Sequence, residues 1–358
     1  MFNLEKIVRP NIQQLKAYSS ARDEFKGEAE VYLDANENPF GSLNRYPDPQ
    51  QTAIKKRLSE IKGVNENQIF IGNGSDEVID LAFRIFCKPG KDKALTFTPS
   101  YGMYNVSATI NDVSLIELPL TEDFQIDINS LETYLADESL KLIFICSPNN
   151  PTGNCFTKET IEFILRNFKG IVIIDEAYID FSTKTSFINQ LKNYPNLIVS
   201  QTFSKAWALA GVRVGVAYAN STIINLYNKV KPPYNVSALN QKAVLEKLDN
   251  IAQFEIEKNI ILNEKEKLEK ELQEIEFIKK VYPSEANFIL IEVTNATELY
   301  NQLVAQKIIT RNRNGLVHNC IRVTIGSEKE NKQFIKALEK LSVTPNKVNK
   351  GTLNFKRQ

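Results

Sequence analysis

Between Gln68 and about Ala219 the chain alternates short β-branched runs with longer amphipathic stretches, and no other feature constrains its fold as strongly. This is the pattern of a mostly parallel sheet covered by helices, an α/β class. Strands are expected at 94–97, 140–146, 171–174, 197–201 and 212–218. Polar or glycine-containing segments follow or adjoin these runs at 73–77, 147–153, 175–178 and 202–205. Ligands of open α/β sheets sit beyond the carboxyl ends of the strands, so these four segments are expected to converge on one site.

The texture changes after Lys231-Pro232-Pro233. A charged stretch at 239–274, with pairs such as Glu266 and Lys270 one helical turn apart, reads as a long solvated connecting helix. A strand at 287–293, a helix at 296–306, a strand at 320–325 and a helix at 328–341 then outline a smaller α+β domain. The expected organisation is a large domain at 45–235, a small domain formed by 1–44 with 236–343, and a disordered basic tail at 344–358.

The 44 Lys and Arg residues stand against 43 Asp and Glu, so no global field favours a nucleic-acid or anionic-membrane partner. The four cysteines are dispersed, without a CxxC pair, and read as reduced structural thiols rather than a metal site. No apolar run reaches signal-peptide or membrane-spanning length, and a cytoplasmic protein is expected.

Lys205 follows an expected strand and is flanked by Thr202, Ser204 and Arg213, two hydroxyls and a forked cation suited to a phosphate. An amine becomes a nucleophile toward a carbonyl only when its pKa is lowered, so a phosphate-bearing carbonyl cofactor fits both features. Ser75 and Asp76, after Gly74, open a helix-like stretch; either they cap it or its free N–H groups hold an anion. Asp175 ends four β-branched residues, where a buried carboxylate needs a cation: a pyridinium nitrogen, or an Arg or Lys. In the turn Ser147-Pro148-Asn149-Asn150-Pro151-Thr152-Gly153 either Asn is a candidate donor, and Tyr101 is a candidate to lie on a flat heterocycle or in the core.

Together with Leu33-Asp34-Ala35-Asn36-Glu37-Asn38-Pro39, Asn44-Arg45-Tyr46-Pro47 and Cys320-Ile321-Arg322-Val323-Thr324-Ile325-Gly326, these segments resemble the pyridoxal-phosphate-dependent aminotransferases of fold type I, most closely the branch acting on histidinol phosphate. The resemblance runs from about Val8 to Ser342. It implies a large domain with a seven-stranded-type, mostly parallel sheet, pyridoxal 5'-phosphate as cofactor, and histidinol phosphate and glutamate or 2-oxoglutarate as substrates. By the same resemblance Lys205 is the Schiff-base lysine and proton carrier, Asp175 the pyridinium partner, and Tyr178 and Asn150 donors to the ring hydroxyl. Tyr101 stacks on the ring, while Ser75, Asp76, Thr202, Ser204 and Arg213 form the phosphate cup. Tyr46 reaches into a neighbouring subunit's site, which implies a homodimer. Arg322 binds the substrate anion with Arg311, Arg313 being the alternative in a shifted register, and Tyr18 and Asn36 occupy substrate-end positions. Aromatic amino-acid transaminases and threonine-phosphate decarboxylases share the cofactor constellation, so fold alone does not choose the reaction.

Overall fold

The computed structural model describes residues 2–18 and 31–343, and the expected tail at 344–358 lies outside them. Its larger sheet comprises β1 (Ile69–Gly72), β2 (Lys93–Thr98), β3 (Ser114–Pro119), β4 (Leu140–Cys146), β5 (Ile171–Asp175), β6 (Leu197–Thr202) and β7 (Gly215–Ala219). The spatial order is β1-β7-β6-β5-β4-β2-β3, and only β7 runs against its neighbours. Near-continuous apolar runs are what a sheet covered on both faces requires. Alternation along β5 divides those runs: Val172 and Ile174 enter the core on one face, Ile171 and Ile173 the core on the other.

β3 was not among the expected strands. It is an edge strand whose burial is confined largely to Leu118, so its sequence lacks the apolar run that marks the central ones. The strand expected at 212–218 begins later, because Ala210–Val212 form a 3₁₀ turn that ends with Arg213 in the left-handed region at φ 55°. The single helix expected at 239–274 is two, Ala238–Leu248 and Ile251–Gln273. Asn250 breaks the run by capping the second, accepting from the Gln253 N–H. Neither is merely solvated, since Val244, Leu248 and Phe254 join the core of the large sheet and Leu268 and Leu272 that of the small one.

The second sheet contains β8 (Ile278–Val281), β9 (Phe288–Val293), β10 (Arg311–Asn312) and β11 (Cys320–Thr324) in the antiparallel order β10-β11-β9-β8. The helices Ala296–Ala305 and Glu328–Val343 complete its core. Of the segment 1–44 expected to join this small domain, residues 8–13 pack on the large one. Val8 and Ile12 pack into the core behind the large sheet, the Arg9 N–H donates to the Ile85 carbonyl at 3.0 Å, and Lys229 Nζ donates to the Gln13 carbonyl at 2.8 Å. Val8 and Ile12 are buried there in the same apolar cluster as Val78, Leu81 and Ile85 of the helix Ser75–Phe86.

The small domain docks beside the turn after β4. The Glu285 N–H donates to the Gly153 carbonyl at 2.8 Å, and the Glu285 carboxylate accepts from the Ser182 hydroxyl at 2.8 Å and the Thr183 N–H at 2.7 Å. Gly153 has φ +80° and lies so close to Ser284 that a Cβ would fall 2.6 Å from its hydroxyl. Only glycine permits that approach. The docking carries β11, and with it Arg322, to the carboxyl end of β4, where Arg322 donates to Asn150.

Candidate active site

Five parallel strands end toward one pocket, and each contributes from its carboxyl end. β1 leads into the helix Ser75–Phe86, whose cap is Gly74 at φ +75° with no side-chain cap bond. Of the two sequence readings for Ser75 and Asp76, capping therefore falls: both are first-turn residues whose N–H groups are left open at a helix N-terminus, an anion-binding arrangement. Gly215 opposes them from β7, and a Cβ there would stand 2.2 Å from the Ser75 nitrogen.

Arg213 closes the same corner. Its guanidinium donates to the Ser204 hydroxyl at 3.2 Å and to Asp76 Oδ2 at 3.2 Å, and the Thr202 hydroxyl accepts the Ser204 N–H at 3.1 Å. Holding a non-glycine residue at positive φ is costly, and here it turns the guanidinium toward the helix start.

Asp175, the last residue of β5, is buried between β4 and β6. Its Oδ2 accepts the Tyr104 hydroxyl at 2.8 Å and its Oδ1 the Ala177 N–H at 3.2 Å. Burial raises its pKa to about 6, against the effect of those two hydrogen bonds. No Arg or Lys forms a salt bridge with it among the described residues, so the alternative of a protein counter-ion is not realised.

Lys205 opens onto the pocket, with Nζ 5.7 Å from the centre of the Tyr178 ring. Desolvation by the surrounding protein, then the positive charges of Arg322 and Arg213, hold its amine below the ordinary lysine value. A larger share of neutral amine is the condition for attack on a carbonyl and for accepting a proton.

The two asparagines of the turn divide their tasks. Asn149 is wholly buried and knits the turn, donating to the Pro99 carbonyl at 2.9 Å and the Thr152 hydroxyl at 2.7 Å while accepting from Ser100 at 2.8 Å. Asn150 faces the pocket, donates to the Tyr178 hydroxyl at 3.3 Å and accepts from Arg322. Tyr101 also lines the pocket, its hydroxyl donating to Asp76 Oδ1 at 3.1 Å.

Arg311 and Arg322 are cross-strand partners on β10 and β11, and the Arg322 guanidinium stands 5.1 Å from the centre of the Phe288 ring. Arg313 is the more buried of the two candidate partners; burial and the charges of Arg322 and Arg311 lower its pKa to about 10. Nε of Arg313 and Nε of Arg322 are both buried without a hydrogen-bond partner. Three cations thus share one small region, a potential that an anion would relieve.

The remaining expected residues lie apart from this cluster. Tyr46 is 49% exposed and stacks on Tyr234 at 4.3 Å, Asn36 is exposed with φ 53°, and Tyr18 is 71% exposed. Sequence reasoning missed Tyr104, whose contact with Asp175 joins residues 71 positions apart, and it did not assign the Asp76 side chain its place between Tyr101 and Arg213.

The model of the family "Aminotransferase class I and II" matches residues 18–338. The chain belongs to this family. Among relatives of this aminotransferase, the histidinol-phosphate aminotransferase of Christiangramia forsetii is 52% identical over 345 residues, covering 95% of this chain and 98% of the relative. That of Flavobacterium psychrophilum is 49% identical, with coverage of 95% and 99%. The crystal structure of the histidinol-phosphate aminotransferase from Clostridium acetobutylicum superposes with a TM-score of 0.77 at 28% identity, over 84% of this chain and 91% of that one. The fold is thus the fold type I arrangement expected for an aminotransferase.

Proposed function

We propose that this chain is a pyridoxal-phosphate-dependent transaminase that moves an amino group between L-histidinol phosphate and 2-oxoglutarate, giving imidazole-acetol phosphate and L-glutamate in histidine biosynthesis. About half identity to histidinol-phosphate aminotransferases across nearly the whole of both chains carries the reading.

The donor set fits the cofactor. A phosphate suits the uncapped N–H groups of Ser75 and Asp76, the hydroxyls of Thr202 and Ser204, and Arg213. Asp175 offers the buried carboxylate that a ring cation requires, Asn150 and Tyr178 the polar groups for a ring hydroxyl, and Tyr101 a flat face. When bound, pyridoxal phosphate supplies an aldehyde for the amine and a ring that withdraws the electron pair left at the α-carbon.

Lys205 performs the proton transfer in this reading: its neutral amine takes the proton from the substrate's α-carbon and gives it up on the cofactor side, ahead of the hydrolysis that releases the keto product. Asp175 holds positive charge on the ring nitrogen, and its burial strengthens that attraction. Arg322 and Arg311 bind the anionic end of either substrate, since a phosphate and a carboxylate both present paired oxygens to a guanidinium. Tyr18 and Asn36 close the substrate end. Tyr46 reaches the site of a second copy, and the exposed Leu33, Phe40 and Leu43 near it are consistent with a homodimer that covers them. The reading places the enzyme in the cytoplasm, without nucleic-acid or membrane partners; among the described residues no helix is long and apolar enough to cross a membrane.

The deciding experiment is a half-reaction on the cofactor-loaded protein, following the cofactor's visible absorption with histidinol phosphate, phenylalanine or threonine phosphate offered separately. Bleaching by histidinol phosphate and recovery with 2-oxoglutarate is expected. Bleaching by phenylalanine alone would leave the cofactor chemistry and overturn the substrate, and carbon dioxide release from threonine phosphate would replace transamination by decarboxylation.

Three substitutions probe the anion sites. Arg311→Ala is expected to raise the KM for histidinol phosphate by about tenfold or more, the weight of a charge-assisted hydrogen bond, with a smaller effect on glutamate. Should Arg313→Ala show that selective loss instead, the phosphate contact belongs two residues further along. Gly215→Ala drives a methyl group into the Ser75 nitrogen, so about 1–3 kcal/mol of stability should be lost in urea titrations. With the N–H groups displaced, pyridoxal phosphate affinity should fall at least about tenfold in an equilibrium titration.

A further inference from the structure

Tyr104 lies outside every segment singled out by sequence, yet its hydroxyl ends on the carboxylate at the centre of the site. It is wholly buried in the helix Met103–Ile110, stacked on Phe144 with ring centres 4.9 Å apart and set edge-on to Tyr101 at 5.6 Å. Clamped on two sides, the ring directs its hydroxyl to Asp175 Oδ2 at 2.8 Å, with the Cys146 thiol as the hydroxyl's other neighbour. The Ala177 N–H holds the other oxygen at 3.2 Å, so two donors from different segments fix the plane of the carboxylate. A hydroxyl at so dry a position costs free energy unless it is bonded, and phenylalanine would fill the same space without that cost.

We infer that Tyr104 is a positioning residue, which through its hydroxyl sets the Asp175 carboxylate in the orientation that receives the cofactor's ring nitrogen. The inference rests on the transaminase reading and deepens it. The groups that face Asp175 are Tyr104 and Tyr101 from the chain after β2, Asp76 from the helix Ser75–Phe86, Cys146 from β4, Tyr178 from the chain after β5, and Lys205 from the chain after β6. Burial and the Asp76 charge oppose the ionised carboxylate, while the Tyr104 hydroxyl, the Ala177 N–H and Lys205 support it. Without the Tyr104 hydroxyl the carboxyl keeps its proton to higher pH, so cofactor affinity begins to fall at a higher pH as the solution is acidified.

The test titrates the full-length apoprotein with pyridoxal phosphate from pH 5 to 8.5, reading protein fluorescence, for Tyr104→Phe in the wild-type and Asp175→Asn backgrounds. In the wild-type background the dissociation constant should rise about tenfold and the acid limb should move up by about one pH unit. In the Asp175→Asn background the same substitution should change it less than twofold, because the group through which Tyr104 acts is gone. An equal loss in both backgrounds, or an unmoved acid limb, would overturn the inference and leave a purely structural hydroxyl. If Tyr104→Phe does not fold, carbon-13 titration of the wild-type apoprotein reads the same contact: the Tyr104 Cζ resonance should move in step with the Asp175 carboxyl, and independent movement overturns the inference. A wild-type protein that binds no pyridoxal phosphate would instead overturn the transaminase reading, and the inference with it.

Discussion

Lys205→Ala is expected to lower turnover by at least about 10⁴-fold, the scale of a general acid–base group, with a further loss from the missing covalent attachment. Its side chain opens onto the pocket, and its carbonyl, which closes a turn by accepting the Ala208 N–H at 3.1 Å, is kept by alanine, so the variant should fold with an unchanged urea midpoint. Borohydride reduction followed by mass analysis separates the two functions of the amine. The wild-type chain should gain the mass of the reduced cofactor on Lys205, and the variant should gain none while still retaining the cofactor reversibly through the phosphate cup. Substantial turnover by the variant would remove Lys205 from the chemistry.

Asp175→Asn should move the apoprotein and the loaded enzyme in opposite directions. In the loaded enzyme the ring cation loses its buried counter-charge; breaking a buried pair costs about 3–5 kcal/mol, so kcat/KM should fall by a few hundredfold or more. In the apoprotein the carboxyl has no cation in contact. Its folded pKa of about 6 lies above its ordinary 3.8, so the native state binds the proton more tightly than the unfolded chain. That contribution to stability is fully present below about pH 4 and is lost as the pH rises through 6. At pH 8 the neutral Asn avoids the penalty, and the apo variant should be more stable than the apo wild type by on the order of 1–3 kcal/mol, a difference that vanishes near pH 4. Urea midpoints at the two pH values read the sign directly. Glu176, raised to about 7 by burial, adds a slope of the same sign in both proteins and therefore cancels in the difference.

The opposition shows how the site is built. Asp175 costs stability where it stands, and the fold supports it with Tyr104 and Ala177 rather than with a protein cation. Arg213 is held by Asp76 and Ser204, and the Arg313 and Arg322 side chains keep buried nitrogens unbonded. Charge is thus concentrated where an anionic cofactor and an anionic substrate would compensate it, and the large apolar sheet supplies the stability that the site gives up.

The strand-and-helix alternation, the segments at the strand ends and the ordered motifs determined the parallel sheet, the convergence of four segments and the identity of Lys205, Asp175 and Arg213 as neighbours. These features were legible because they are local: burial on both faces writes a continuous apolar run, and a strand end is marked by the polar residues that follow it. What lacked a local signature was decided by packing alone. The edge strand β3, with little burial, reads as loop, and Asn250 is an ordinary residue until it caps a helix and breaks the long charged run. The N-terminal segment carries too few apolar residues to announce which domain will bury them. Asn149 and Asn150 are adjacent and chemically identical, and only the direction of the turn sends one into the scaffold and the other into the pocket. Tyr104 meets Asp175 across 71 residues, and its role depends on a hydroxyl whose direction is set by Phe144 and Tyr101. Local sequence carries propensity and periodicity; the partner of a buried polar group is chosen by long-range packing, and so belongs to the tertiary structure.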